Sequence, residues 1–169
     1  MKKIIILRGI QASGKSSWAY QWVSEAENRV RINRDSIRLM AYGKPSGVDE
    51  MVITKLQDAM LEKSMRSGLE IVVDNTNLKA AHVKQILKKA HRFGYEVEFK
   101  DFDVTLEEAI ERDKLREVPV GEKVIESYFN RYFKKGKFPP IPTISDEVRH
   151  TSFIKYEDRK STRLNSSHL

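Results

Sequence analysis

The chain has 169 residues, with 31 Lys and Arg against 24 Asp and Glu, which gives a formal net charge of +7. It contains no cysteine, and this excludes a disulfide-rich scaffold, a thiolate metal site and a cysteine nucleophile. No apolar run approaches the roughly 18 residues of a membrane span, so we expect a cytoplasmic protein without a membrane partner. The basic charge favours an anionic partner such as nucleic acid or a nucleotide.

Strand and helix patterns alternate along one domain, to which we assign residues 1–158. The predicted strands cover residues 2–7, 29–33, 69–74, 95–102 and 150–156. Helical spacing of apolar residues begins near residue 15 and recurs at 48–66, 83–93, 106–117 and 124–133, with a shorter helical turn at 34–39. This order predicts an α/β fold with a mostly parallel sheet flanked by helices. Residues 161–169 show no hydrophobic period, so we interpret them as a tail outside the fold, typical of residues added by cloning.

A phosphate-binding loop follows the first predicted strand. Gly9, Gly14, Lys15 and Ser16 match the Walker A spacing in full, and the loop opens a helix as that motif requires. Glycines let successive backbone N–H groups converge on phosphate oxygens, and the helix N-terminus adds partial positive charge. Lys15 is expected at the β- and γ-phosphates and Ser16 at Mg²⁺. The alternative is a glycine-rich turn with an exposed lysine. The residues expected to hold ATP here are Gly9, Ala12, Ser13, Gly14, Lys15, Ser16 and Ser17.

The sequence favours phosphoryl transfer over nucleotide hydrolysis. It has no guanine-reading Asn-Lys-x-Asp motif. The strand at residues 71–74 ends in Asp-Asn and lacks the Asp-Glu pair that many ATP-hydrolysing motors use to position water. We therefore expect a hydroxyl acceptor in place of water.

Asp35 and Arg38 are candidates for an acceptor site. They follow the second predicted strand, and ligands of parallel α/β sheets bind at the carboxyl ends of strands. Asp35 could accept the proton of an attacking hydroxyl. Arg38, three residues later, could bind a phosphate of a nucleic-acid acceptor. The alternative is a helix N-cap aspartate paired with a surface arginine.

Arg112 and Arg116 are candidates for a lid. They lie one helical turn apart, just before the break at Pro119 and Gly121. Paired arginines in this position are suited to closing over triphosphate oxygens and neutralising charge in the transition state. A solvated, charged helix is the competing interpretation.

Taken in order, these segments resemble the kinase domain of the polynucleotide 5′-kinases of the phage T4 type. The resemblance runs from residue 1 to about residue 135. It rests on Met1-Lys-Lys-Ile-Ile, Gly14-Lys15-Ser16-Ser17-Trp18-Ala19, Ile32-Asn33-Arg34-Asp35 with Arg38, Asp74-Asn75-Thr76-Asn77-Leu78, Phe102-Asp103-Val104 and Arg112-x3-Arg116.

The resemblance implies a P-loop kinase fold with a helical lid and ATP-dependent transfer of the γ-phosphate, with Mg²⁺, to 5′-OH ends of DNA or RNA. It implies that Asp35 is the general base and that Arg38 binds the phosphate 3′ to the acceptor nucleotide. It further implies that Arg116 acts on the donor phosphates, with Arg112 supporting the lid. Thr76 and Asn77 would line the acceptor site, and Asp74 would support it. Such an enzyme acts in a cytoplasm, that of the host if the enzyme is encoded by a phage.

Other interpretations remain open at this point. The same scaffold serves small-molecule kinases of the zeta-toxin or antibiotic-kinase type, and a nucleic-acid-binding module gated by ATP would need no transfer. The string from Asp101 to Thr105 mimics the Asp-x-Asp-x-Thr of haloacid-dehalogenase phosphatases, but we interpret it as a strand end and a helix cap. His82, His91 and His150 show no metal-ligand spacing and are expected on the surface. The choice between DNA and RNA and the oligomeric state stay open.

Overall fold

A parallel sheet with β1 at its centre organises the domain in the computed structural model, which describes residues 2–144 and 154–156. The strand order is β2-β3-β1-β4-β5, and every neighbouring pair is parallel. The strands are β1 (Lys3–Arg8), β2 (Arg29–Ile32), β3 (Glu70–Val73), β4 (Glu96–Asp101) and β5 (Ile154–Tyr156). The expected α/β architecture is confirmed. Residues 150–153 of the last predicted strand and the tail at 161–169 lie outside the described residues.

Six helices connect the strands in the described part of the chain. They are α1 (Lys15–Ser24), α2 (Arg34–Tyr42), α3 (Glu50–Arg66), α4 (Ala80–Arg92), α5 (Leu106–Lys114) and α6 (Glu122–Tyr132). Where the sequence predicts only a turn at 34–39, α2 is a full helix of 9 residues. Its start is fixed by Asn33, whose side chain accepts a hydrogen bond from the Ser36 N–H, and it ends at Gly43 in the left-handed conformation (φ 69°).

The apolar run of β1 is continuous because both faces of the strand are buried. Ile4 and Ile6 pack into a large cluster with side chains of α3 and α4. Ile5 and Leu7 face the opposite side and pack with Ala19 and Trp22 of α1. Helices on both sides of the sheet leave one open edge, where the carboxyl ends of the strands and the loops that follow them meet.

The histidines of α4 lie where the sequence predicts. His82 and His91 are exposed, and His150 lies outside the described residues. Within residues 2–144 and 154–156, no group of three or more His, Cys, Asp or Glu side chains could hold a metal ion. No helix in this part of the chain is long and apolar enough to cross a membrane.

The phosphatase-like string has a structural role, as expected. Asp101 ends β4 and accepts two hydrogen bonds, at 2.7 and 2.8 Å, from the buried guanidinium of Arg8. Thr105 caps α5 by accepting a hydrogen bond from the Glu108 N–H. The Arg8 guanidinium also donates to the carbonyl of Pro139, at 2.7 Å, and lies over the ring of Phe138. Arg8, at the end of the central strand β1, therefore holds the chain after α6 against the sheet.

Replacing Asp101 with Asn is expected to lower the free energy of unfolding by about 3–5 kcal/mol, the usual cost of removing one partner from a buried ion pair. The side chains of Arg8 and Asp101 are only 3% and 2% exposed. Urea unfolding measures the change. Glu98→Gln on the same strand is the matched control, because the pair of Glu98 with Lys3 is partly exposed and should cost less than about 1 kcal/mol. Equal effects of the two substitutions would contradict the prediction.

Candidate active site

The phosphate-binding loop joins β1 to α1 and requires its glycines. A Cβ at Gly9 would lie 2.7 Å from Ser13 Oγ and 3.1 Å from the carbonyl oxygen of Phe102, closer than the packing allows. Gly14 is the N-cap of α1 and has a φ of 103°, a conformation that residues with a side chain rarely adopt. The backbone thus takes the tight turn that aims N–H groups at an anion.

Lys15 lies inside this loop and does not point into solvent, so the interpretation as an exposed lysine is wrong. Its side-chain ammonium donates to the carbonyl oxygens of Gly9 and Ile10, at 3.0 and 2.7 Å, and to Ser13 Oγ at 3.2 Å. Burial, with a smaller contribution from the charge of Arg116, lowers the pKa of Lys15 to about 8, while Asp74 and Asp35 act in the opposite direction. One cation therefore lies within electrostatic reach of candidate residues from three other segments.

A pocket of about 250 Å³ opens over the loop. Both arginines of the predicted lid line it, although they are about a hundred residues away in sequence. The lining residues are Ala12, Ser13, Gly14, Lys15, Ser16, Ser17, Arg112, Leu115 and Arg116. Arg112 donates through Nη2 to Glu108, at 2.5 Å, and its Nη1 is buried with no partner in the part of the chain that the structure describes. A buried donor without an acceptor, next to a phosphate-binding loop, fits an anionic ligand.

Asp74 contacts the loop directly, which is a closer role than the support expected from the sequence. It follows β3, it is 1% exposed, and its Oδ2 accepts hydrogen bonds from Ser16 Oγ at 2.8 Å and from Arg31 Nε at 2.7 Å. Its Oδ1 is buried and has no hydrogen-bond partner within residues 2–144 and 154–156. A hydroxyl and a carboxylate with a free oxygen are the donors that Mg²⁺ takes from proteins when phosphates supply further ligands.

The candidate acceptor residues Asp35 and Arg38 both lie in α2. The Asp35 side chain is 72% exposed and accepts a hydrogen bond from Arg38 at 2.7 Å. Arg38 also donates to both carboxylate oxygens of Glu50, at 2.8 and 2.9 Å, and Arg34 binds the same carboxylate. Hydrogen bonds from Arg38, and then from Arg34, lower the pKa of Glu50 to about 2. The N-cap of α2 is Asn33, so the alternative that makes Asp35 the cap is wrong, although its pairing with an arginine is present.

Asn77, which the sequence predicts at the acceptor site, is buried and holds two strand ends together. It is 5% exposed, and its amide group donates to the carbonyl oxygens of Leu7 and Val73 at 2.6 and 3.1 Å. Thr76 contributes its carbonyl oxygen, which accepts from the Gly9 N–H at 3.1 Å. Both residues hold the end of β3 against the start of the phosphate-binding loop, and Asn77 has a φ of 48°, which Asn tolerates better than most residues.

The contacts of three residues, Glu50, Asn75 and Asp74, were not expected from the sequence. Glu50 begins α3 without a motif, and only its spatial contact with Arg38 marks it. Asn75 accepts from the Arg34 N–H at 2.9 Å and donates to Gln57 at 3.0 Å, which ties β3 to α2 and α3. The contact of Asp74 with Ser16 follows from the parallel pairing of β1 with β3, which places the ends of the two strands side by side.

The chain resembles known proteins over most of its length. A protein of Autographa californica nuclear polyhedrosis virus, described as a bifunctional polynucleotide kinase/RNA ligase, is 28% identical over an alignment 159 residues long. The alignment covers 86% of this chain and 23% of that protein. A chain of the Pnkp1/Rnl/Hen1 RNA repair complex superposes with a TM-score of 0.67 at 26% identity, over 86% of this chain and 50% of the other. The chain thus spans a quarter to a half of the length of these relatives.

A more distant structure shares the fold alone. The tunicamycin resistance protein of Deinococcus radiodurans superposes with a TM-score of 0.55 at 14% identity, over 99% of this chain and 95% of the other. The family model described as an AAA domain matches residues 4–135, the segment that carries the loop, Asp35, Asp74 and both lid arginines. The chain belongs to this AAA domain family of P-loop proteins.

Proposed function

We propose that this protein is an ATP-dependent polynucleotide kinase that transfers the γ-phosphate to 5′-OH ends of DNA or RNA. The observation that carries the proposal is the pocket over the phosphate-binding loop, which Lys15 and the lid residue Arg116 line together. The exposed carboxylate of Asp35 acts electrostatically on the same lysine. A phosphate-binding lysine, a lid cation and a candidate base are the parts that phosphoryl transfer to a hydroxyl requires.

On the donor side, the loop and the lid hold the triphosphate. The N–H groups at the start of α1 and the ammonium of Lys15 bind the β- and γ-phosphate oxygens. Arg112 offers its Nη1, which has no hydrogen-bond partner among the described residues, and Arg116 lines the same pocket. These cations stabilise the charge that spreads over the transferred phosphoryl group.

Ser16 and Asp74 would hold Mg²⁺. Ser16 lines the pocket over the loop and its hydroxyl donates to Asp74, whose Oδ1 has no partner among the described residues. A small ligand set of this kind is usual for Mg²⁺. When bound, Mg²⁺ neutralises charge on the β- and γ-phosphates. Arg31, which donates to the other oxygen of the same carboxylate at 2.7 Å, fixes the orientation of Asp74.

On the acceptor side, Asp35 takes the proton of the 5′-hydroxyl. As the O–H bond breaks, the hydroxyl oxygen bonds to the γ-phosphorus, and the bond from phosphorus to the β,γ-bridging oxygen breaks, which releases ADP. The Asp35 carboxylate is exposed, so a substrate can reach it. Arg38 donates three hydrogen bonds to carboxylates, which leaves two of its five N–H groups for a phosphate of the acceptor strand.

A polynucleotide acceptor is favoured over a small molecule by Arg38 and by the relatives. A sugar or antibiotic hydroxyl would need the base but no arginine for an internucleotide phosphate. Two relatives that are more than 25% identical to this chain are named for a polynucleotide kinase and for RNA repair.

Labelling with γ-³²P-ATP tests the proposal. A 5′-OH oligonucleotide should be labelled and a 5′-phosphorylated one should not, and no labelling of either would refute the proposal.

Arg38→Ala should lower kcat/KM for the oligonucleotide by about 10- to 100-fold, because hydrogen bonds to charged groups contribute about 1.5–3 kcal/mol. Arg34→Ala is the matched control, since Arg34 shares Glu50 with Arg38 but also binds Thr54 of α3.

ATP binding should weaken at alkaline pH because of Lys15. Its pKa is about 8 in the nucleotide-free protein, and bound phosphates favour the charged form. Below that pH the Lys15 ammonium is already charged, so the affinity for ATP is constant. Above it, the Lys15 amine must take up a proton each time ATP binds, so the affinity falls by up to about tenfold per pH unit. Calorimetric titration between about pH 7 and 9.5 measures this. Lys15→Arg, which stays charged, should remove the slope, and a constant wild-type affinity would contradict the prediction.

A further inference from the structure

The lid segment between α5 and α6 is closed by a single buried carboxylate. Asp113, in the last turn of α5, has a side chain that is 3% exposed. Its Oδ1 accepts a hydrogen bond from the Val120 N–H and its Oδ2 accepts one from the Gly121 N–H, both at 2.9 Å. These bonds join the end of α5 to the residues just before α6, and six residues separate Asp113 from Val120.

The same residue holds Arg116. The Arg116 N–H donates to the carbonyl oxygen of Asp113 at 3.1 Å, and the guanidinium lies 3.6 Å from Asp113 Oδ1. Arg116 lines the pocket over the phosphate-binding loop, where its charge lowers the pKa of Lys15. The backbone and the side chain of Arg116 are therefore both held by Asp113.

The rest of the lid segment has little to hold it in place. Residues 114–120 are all exposed, and Leu115 and Val118 expose 88% and 66% of their surface. None of them belongs to a hydrophobic cluster among the described residues. Without packing, the conformation of the segment depends on its hydrogen bonds, and a backbone that is not held must lose entropy when ligand binds.

A carboxylate suits this position better than an amide. Both of its oxygens accept N–H groups at the N-terminus of α6, a helix of 11 residues whose partial positive charge favours an anion. It also neutralises part of the charge of Arg116. An asparagine would direct an NH₂ group at one of the two N–H donors, so the segment would lose one contact and gain a repulsion.

We propose that Asp113 is a positioning residue of the lid, which holds Arg116 toward the donor phosphates before nucleotide binds. The inference rests on the proposed function for the role of Arg116, but it concerns a residue that touches neither substrate. Its effect should therefore pass through Arg116 and disappear when Arg116 is removed.

A double-mutant cycle tests this. Asp113→Asn should lower kcat in the labelling assay by about 10- to 100-fold, the scale expected when a catalytic group is displaced by about 1 Å. In an Arg116→Ala background the same substitution should change kcat by less than about twofold. Glu111→Gln, which removes an exposed ion pair with Lys114 on the same helix, is the matched control and should leave kcat unchanged.

Equal effects of Asp113→Asn in both backgrounds would show a general structural role and overturn the proposal, as would no effect in the wild type. The same cycle on the ATP dissociation constant needs no acceptor, so it still tests the lid if the oligonucleotide is not a substrate. Circular dichroism at the assay temperature checks folding. If Asp113→Asn is unfolded, Asp113→Ser replaces it in the cycle, and unfolding of both variants would also overturn the positioning role.

Discussion

Replacing Asp35 with Asn is expected to lower kcat for 5′-OH phosphorylation by about 10²- to 10⁴-fold, the usual contribution of a general base. The substitution removes the carboxylate that accepts the hydroxyl proton and leaves the phosphate-binding loop intact. ATP should therefore bind with nearly unchanged affinity. Labelling kinetics and ATP calorimetry on the same preparation measure the two effects separately.

A control must separate the loss of the base from a change in Arg38, because Asp35 binds that arginine. Glu50→Gln serves this purpose, since it removes the other carboxylate on Arg38 and leaves Asp35 in place. We expect it to raise KM for the oligonucleotide with at most a severalfold effect on kcat. If the two substitutions lower kcat equally, Asp35 acts by orienting Arg38 and is not the base.

Lys15→Met should lower kcat by about 10²- to 10³-fold, because it removes a donor to the phosphoryl group in the transition state. The free energy of unfolding should change by less than about 1 kcal/mol. Three hydrogen bonds are lost, but the cost of burying the ammonium, which is visible in its lowered pKa, is relieved.

Lys15→Arg is the control for this substitution, because it keeps the charge but replaces the compact ammonium with a planar guanidinium that donates in a different geometry. Labelling kinetics and urea unfolding of the three proteins give the comparison. A large loss of stability in Lys15→Met would mean that the lysine is required for the fold of the loop, and the loss of kcat could then not be assigned to catalysis.

The parts of the site that the sequence predicts are those fixed by local spacing. Gly9 to Ser16 form the loop because the glycines, the strand before them and the helix after them act together within a few residues. Asp35 and Arg38 lie one helical turn apart and meet for the same reason. The sequence likewise predicts that Arg112 and Arg116 lie one helical turn apart. Their position over the loop follows only from the fold.

The parts that the sequence leaves unresolved depend on contacts between distant segments. Glu50 meets Arg38 because α3 packs beside α2, and no pattern around Glu50 indicates that packing. Asn77 follows a strand just as Asp74 does, but its left-handed backbone turns the amide inward, so two residues of one motif have different roles. The role of Asp113 depends on the return of the chain to α6, seven and eight residues later.

The resting position of Lys15 has a consequence for product release. A buried ammonium that loses its phosphate partners and finds no others is costly, and that cost would hold ADP in the site. Here the carbonyl oxygens of Gly9 and Ile10 and the hydroxyl of Ser13 are ready to accept the cation as the nucleotide leaves. These acceptors therefore lower the free-energy cost of ADP release from the loop, which favours release over tight retention of ADP.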